Sequence, residues 1–411
     1  MIDGAREDRK NYSGIMNGWM TFAPAVAILA AATLVTQGAG RPMEFPPDVQ
    51  KQLGSAVPGQ IVDAGTYPLD DVPPLTYEKK AGGPPMVFSD DPEYFRVPEG
   101  AGVRERVEPG MVRLYVYHVN QTTDGPKRIS AVIENLGSAP LTLRFHRYAF
   151  AGPNVDGYKI GKSALIQYLS GGAVPDPITV PAGGAAPIDT QMDRAVVGYD
   201  QLVHCFHDFE IDQPARITTL QTTLDTPAVV ANARIREPLP AHTAMGAGRG
   251  LYRTSTFDVT LPEDAHYDTA LGPRQIVVAD GKIDPWLEGW DSSTGTSSRL
   301  DGNYGVVYRM RLPWHCSDGR ALAVGLWYPP AGRKWCEACA LAVKVNDGVH
   351  AGGVIPIPRD AVTFRGRSSV GVVQVYRLAK GSAGTVEIIY SPPGGSCLPV
   401  QFLLIPVSET P

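Results

Sequence analysis

The sequence predicts an all-β protein of two β-sandwich-like domains, and three observations carry that expectation. Apolar and β-branched residues alternate with period two in many short runs, turn residues separate the runs, and the spacing between runs is roughly a dozen residues. No sustained strand–helix alternation and no fixed-period repeat is present, which argues against a doubly wound α/β fold, a propeller or a solenoid.

Residues 112–119 read VRLYVYHV, Asp124-Gly125 supplies a turn, and 129–135 form a second run, so a hairpin is expected there. A third strand is expected over 141–148, and further β-runs at 178–180, 202–211 and 216–224. One helix is expected over 162–169, where Ala164, Leu165, Tyr168 and Leu169 share a face and Gly171-Gly172 stop it. Beyond a Pro- and Gly-rich break at 238–250, eight more runs follow, at 252–261, 275–279, 304–312, 321–328, 340–345, 370–378, 385–390 and 400–407. They suffice for a second sandwich, which gives a first domain over 106–237 and a second over 250–411.

The chain has 411 residues, enough for two or three domains with cores of their own. Its hydrophobic share of 43% is that of a globular protein, and its net charge of −5 is spread along the chain. There is no basic field for nucleic acid and no polybasic patch for a membrane surface. Within 1–40, Arg9 and Lys10 precede an apolar stretch over 19–35 that ends in small residues, the layout of a secretory signal peptide. A retained membrane anchor and a buried core helix are the alternatives, and Asp3, Glu7 and Asp8 weaken the positive lead. Any membrane contact is expected through this segment alone. Proline pairs and acidic pairs mark 41–105, which reads as a Pro-rich stalk or linker with docked portions around 86–88 and 94–95.

Several short motifs set a resemblance. Tyr117-His118-Val119-Asn120, Ile133 to Gly137, Gly161 to Ala164 and Gly302 to Tyr308 resemble secreted Gram-positive bacterial β-domain proteins of unassigned function, over about 110–407. Some of those carry a module named for the N-terminal domain of copper amine oxidases. The resemblance implies an extracytoplasmic, cell-surface protein. The oxidase chemistry does not follow, because Asn303-Tyr304 is succeeded by Gly305, Leu300 stands where that motif needs Thr, and no His-x-His occurs. Tyr304 is expected as a strand residue.

Cys316, Cys336, Cys339 and Cys397 lie in the second domain and suit two disulfides in an oxidising compartment; reduced thiols, metal binding and thiol exchange stand beside that reading. In the densest ligand cluster, His204-Cys205-Phe206-His207-Asp208, strand alternation puts Cys205 and His207 on one face and His204 and Asp208 on the other. Ordinary strand residues are the expectation. Gly157 to Ser163 is one residue short of a phosphate-cradling loop and is expected to cap the helix instead.

The segment chosen for ligand contact is 280–291. Trp286 and Trp290 can stack on sugar rings while Asp284, Glu288 and Asp291 accept hydroxyl hydrogen bonds, and the acids are expected in an exposed, solvated loop. No catalytic residue, cofactor or metal ligand is expected. The sequence therefore reads as a cell-surface structural or adhesive protein without catalytic activity, partnered by a cell-wall or surface component such as a glycan. Carbohydrate binding and glycoside hydrolysis through 280–291 are the alternatives.

Overall fold

In the computed structural model, the described residues are 43–241, 246–329 and 338–408, and strands dominate them. They form four sheets. A ten-stranded sheet runs in the order Ile178–Val180, Leu141–Arg147, Gln201–Ile211, Gly110–Asn120, Met86–Ser89, Arg249–Tyr252, Leu287–Asp291 and Thr296–Leu300, with Tyr94–Phe95 and Phe150–Asn154 added beside it. A four-stranded sheet (Ala185–Pro187, Lys127–Asn135, Ala215–Thr223, Gly100–Val107) shares a core with its inner face. Val112, Leu114, Val116, Val203 and Phe209 from the first meet Val103, Ile129, Ile133 and Ile217 from the second in that core.

The other half repeats the plan. Seven strands, with Val307–His315 and Ala383–Tyr390 at the centre, and five, with Ala321–Trp327 and Val400–Val407 at the centre, enclose a second core. That core is continuous with the outer face of the ten-stranded sheet: Phe88, Tyr115, Tyr117 and Phe206 belong to the same cluster as Tyr308, Trp314 and Phe402. The Gly157–Ser170 helix also belongs to it, through Ile160, Ala164, Leu165, Tyr168 and Leu169. Asp156 caps its start by accepting from Lys159 N at 3.0 Å, and Gly171 ends it at φ 63°. Gly161 lets the helix close onto the 394 loop, since a Cβ there would stand 1.7 Å from the Gly394 carbonyl oxygen.

All-β architecture is as expected, but three expectations change. Residues 43–105 are not a stalk: Ile61–Asp63, Glu78–Gly82, Met86–Ser89 and Gly100–Val107 place one strand in each sheet, and the Pro47–Ser55 helix packs on the five-stranded sheet. The 238–250 break is not a domain boundary either. Arg249–Tyr252 pairs with Met86–Ser89 in the ten-stranded sheet, and the described residues belong to one compact unit. Finally, Gly110–Asn120 and Lys127–Asn135 are not a hairpin; they lie in opposite sheets and face one another across the core. Among the described residues no helix is long and apolar enough to cross a membrane.

One buried ion pair joins the halves. Arg113 donates from Nε to Asp208 Oδ1 at 2.7 Å and from Nη2 to Oδ2 at 2.9 Å, and Tyr168 OH donates to Oδ2 at 2.6 Å. Its remaining N–H groups reach across to Ser255 O at 2.5 Å and Gly305 O at 3.3 Å. Burial pushes the Asp208 carboxyl up, but the Arg113 guanidinium and the two side chains' hydrogen bonds overcome it and hold the carboxyl below its usual range. Removing one member of such a pair strands the other in the interior. We expect Arg113→Met to lower stability by about 3–5 kcal/mol in urea denaturation. A loss below about 1 kcal/mol, the worth of a solvated pair, would contradict the assignment.

Candidate functional site

The Leu287–Asp291 and Thr296–Leu300 strands form a hairpin at the edge of the ten-stranded sheet, paired from Leu287↔Leu300 to Asp291↔Thr296. Alternation gives it an inner and an outer face. Leu287, Gly289 and Asp291 turn inward, and at Gly289 a Cβ would stand 2.6 Å from the Tyr252 ring. Glu288 and Trp290 turn outward, and Trp290 is 51% exposed. Trp286 precedes the strand and is half-buried: its indole N–H donates to Ala279 O at 3.0 Å, and its ring packs on Gly281, where a Cβ would stand 2.8 Å from it. The Arg299 guanidinium lies 4.9 Å from its ring centroid, and Arg299 is the cross-strand partner of Glu288. Ile283, also 51% exposed, lies nearby in the chain. The outer face of the hairpin thus carries exposed Glu288 and Trp290, with half-buried Trp286 and the Arg299–Asp301 ion pair beside them, and the two tryptophan positions lie about 13 Å apart at about 3.3 Å per residue.

Two of the three acids expected in solvent are buried. Asp284 is 0% exposed; it is ion-paired with Lys79, and its Oδ2 accepts from Tyr308 OH at 2.7 Å and from Ala279 N at 2.6 Å. Asp291 accepts from Arg249 Nε at 2.8 Å, and from Ser293 N at 2.9 Å and Oγ at 2.6 Å. Burial raises its carboxyl, and the Ser293 and Arg249 contacts outweigh that and lower it. Both acids anchor the hairpin, leaving Glu288 as the exposed carboxylate of the three. Ser292 N and Oγ extend the anchor by donating to Glu105 on the four-stranded sheet.

The other sequence candidates are structural. His204 Nδ1–H donates to Val116 O at 2.7 Å, and burial pushes the ring down to about 4. His207 lies on the opposite face with Cys205; its Nδ1 accepts from Ala149 N at 3.4 Å and its Nε2–H donates to Asp189 Oδ2 at 3.1 Å. Lys162 is no phosphate ligand, because its ammonium donates to the carbonyls of Pro358, Ala361 and Val362. Tyr304 precedes the Val307–His315 strand rather than sitting in it, and donates to Ser396 O at 3.0 Å.

Two of the cysteines assigned to disulfides carry free thiols instead. Cys316 is buried and donates from Sγ to Arg320 O at 3.3 Å, and buried Cys339 donates to Cys397 O at 3.4 Å. Burial pushes the Cys339 thiol up, and Cys205 is a third free, buried thiol. Cys397 is disulfide-bonded, and Cys336 lies outside the described residues.

Sequence reasoning missed one group of ligand-type side chains. His266, Asp268 and His315 bring one nitrogen or oxygen each to within 4.8 Å of one another. The His266-Tyr267-Asp268 triplet held half of the signal, since residues two apart on a strand share a face.

No family model matches the chain, and no curated protein does. Among solved structures, the chain is 7% identical to the CUB1-EGF-CUB2 domains of rat MASP-1, covering 75% of this chain and 98% of that one at a TM-score of 0.15. It is 10% identical to a mutant oxalate decarboxylase of Bacillus subtilis, covering 80% and 79% at a TM-score of 0.12. Scores this low carry no argument about fold or function.

Two predictions follow from the buried groups. Unfolded, His204 takes up a proton near its ordinary value of 6.5; folded, only near 4, so acidification between those values favours the unfolded chain. Replacing it with Asn, which keeps a donor for Val116 O, should cost most at neutral pH, and the gap to the wild type should narrow as the pH falls from 6.5 to 4. A gap that stays constant over that window would refute the assignment. For the thiols, alkylation in denaturant without reductant, followed by mass spectrometry, should label Cys205, Cys316 and Cys339 and leave Cys397 unlabelled. Label on Cys397, or protection of any of the other three, would contradict the pairing.

Proposed function

We propose that the protein is an extracytoplasmic surface module that attaches to a glycan through the Trp286–Trp290 face and acts by binding rather than turnover. The observation that carries this reading is half-exposed Trp290 on the outer face of a hairpin whose two ends are pinned by buried ion pairs, with Trp286 at the start of that hairpin. Stacking on pyranose rings needs flat aromatic surface held in place, and an open face suits an extended polysaccharide better than a single sugar. Glu288 supplies an acceptor for hydroxyls, and Arg299, whose Nε and Nη2 donate to Asp301, supplies a donor through its remaining N–H groups. Glycoside hydrolysis needs two free carboxyl groups about 5–9.5 Å apart, and Asp284 and Asp291 are committed to Lys79 and Arg249. An extracytoplasmic site is favoured by the apolar segment within 1–40, by the resemblance to secreted β-domain proteins and by the disulfide at Cys397.

A glycan array with the purified chain should show retention of a subset of polysaccharides. Replacing both Trp286 and Trp290 by Ala should weaken it at least about tenfold; Trp290→Ala alone, at a half-exposed side chain, should weaken it with little change in melting temperature, whereas Trp286→Ala also removes the N–H donated to Ala279 O. Binding untouched by the double replacement would remove this face from consideration. Release of reducing ends by the wild type, lost in Glu288→Gln, would make the protein a hydrolase instead.

A further inference from the structure

We propose that His266, Asp268 and His315 form a site for one divalent transition-metal ion of the zinc type, separate from the tryptophan face and independent of the glycan reading. The strand Tyr267–Asp268 runs parallel to Val307–His315, with Tyr267 opposite Trp314 and Asp268 opposite His315. Tyr267 and Trp314 are buried and fix the register. The next pair in that register, Asp268 and His315, therefore turns outward side by side, and His266 joins it from two positions before Asp268. The two imidazoles lie edge to face with centroids 5.8 Å apart.

The surroundings of these side chains are those of a metal site. His315 Nε2–H donates to the Gly381 carbonyl at 3.1 Å, the contact with which ligating histidines are usually oriented. That contact aims Nδ1 at Asp268 Oδ2, 3.1 Å away. Asp268 is held in turn through its other oxygen, which accepts from Ser317 Oγ at 2.5 Å and Ala270 N at 2.9 Å, so Oδ2 faces the histidines. Both neighbours of the His315 ring are thus acceptors, and the proton that Nδ1 shares with Oδ2 marks the place a metal ion would take. Zinc bonds of about 2.0–2.1 Å in a tetrahedron set ligand atoms about 3.3 Å apart. Asp268 and His315 already meet that spacing, and exposed His266 brings a ring nitrogen to within 4.8 Å of both. Two imidazoles and one carboxylate suit Zn²⁺, Co²⁺, Ni²⁺ or Cu²⁺ rather than Mg²⁺ or Ca²⁺, and the fourth position opens to solvent.

The test is a titration of the chelator-treated full chain with Co²⁺. A tetrahedral visible band should grow and saturate at one ion per chain; Zn²⁺ should abolish it, and Mg²⁺ and Ca²⁺ should not. Asp268→Asn and His266→Ala should each weaken binding at least about 100-fold, and Ser317→Ala by about 10–100-fold, whereas His350→Ala, at an exposed histidine elsewhere, should change nothing. Circular dichroism melts of the metal-free variants check folding. Should Asp268→Asn fail to fold, exposed His266 carries the test. Absence of the band, or a band unchanged in His266→Ala, would overturn the proposal.

Discussion

A guanidinium in the interior must find an anion and enough acceptors, or the fold that buries it is lost, and Arg113 shows how much structure can be arranged around that need. It projects from the centre of the ten-stranded sheet, and Asp208 beside it on the neighbouring strand supplies the charge. Tyr168 on the helix adds a hydroxyl, while Ser255 O and Gly305 O supply acceptors from the other half of the chain. Only when both halves are docked is the arginine fully satisfied. A buried pair of this kind adds little net energy over an apolar substitute, but it penalises every arrangement that leaves it incomplete. The two halves are therefore tied in register as well as by apolar area.

That tie explains the aromatic character of the sheet's outer face. Tyr115 stacks on Phe88 with centroids 4.9 Å apart, and Tyr168 stacks on Phe206 at 3.7 Å. A sheet covered on both faces loses the polar-out alternation that usually marks a sandwich, and all nine residues in 112–120 are buried. The period-two runs still marked nearly every long strand, so the all-β class was legible. Which sheet each strand joins was not, because the arch from Asn120 to Lys127 and a tight hairpin share the same turn chemistry.

The Pro-rich segment misled for a related reason. Proline is excluded from ladder positions that must donate, but it is tolerated beside and between short strands, where Pro84 and Pro85 sit just before Met86–Ser89. Composition thus signalled an extended chain correctly and said nothing about what the extension pairs with. The site divides along the same line. The split of His204 and Asp208 from Cys205 and His207 was readable from alternation. The burial of Asp284 and Asp291 was not, because Lys79 and Arg249 lie 205 and 42 residues away in sequence. Gly, Ser and Pro around those acids describe the local backbone and are silent about a distant cation.

The same anchoring suits the hairpin to the binding proposed for it. An edge hairpin with two large aromatics outside would, on its own, fray and hide them against its own surface. Here Asp284 fixes the chain before the first strand, with Asn303 Oδ1 accepting from Leu287 N at 2.8 Å and its amide donating to Tyr308 OH at 2.8 Å. Asp291 and Ser292 fix its far end to Arg249 and Glu105. Order is thus imposed by folding, and a ligand stacking on Trp286 and Trp290 need not supply it. The polar residues of Thr296–Leu300, with Arg299 at their centre, keep this sheet edge from pairing with another strand, so the aromatic face can stay open without becoming an aggregation surface.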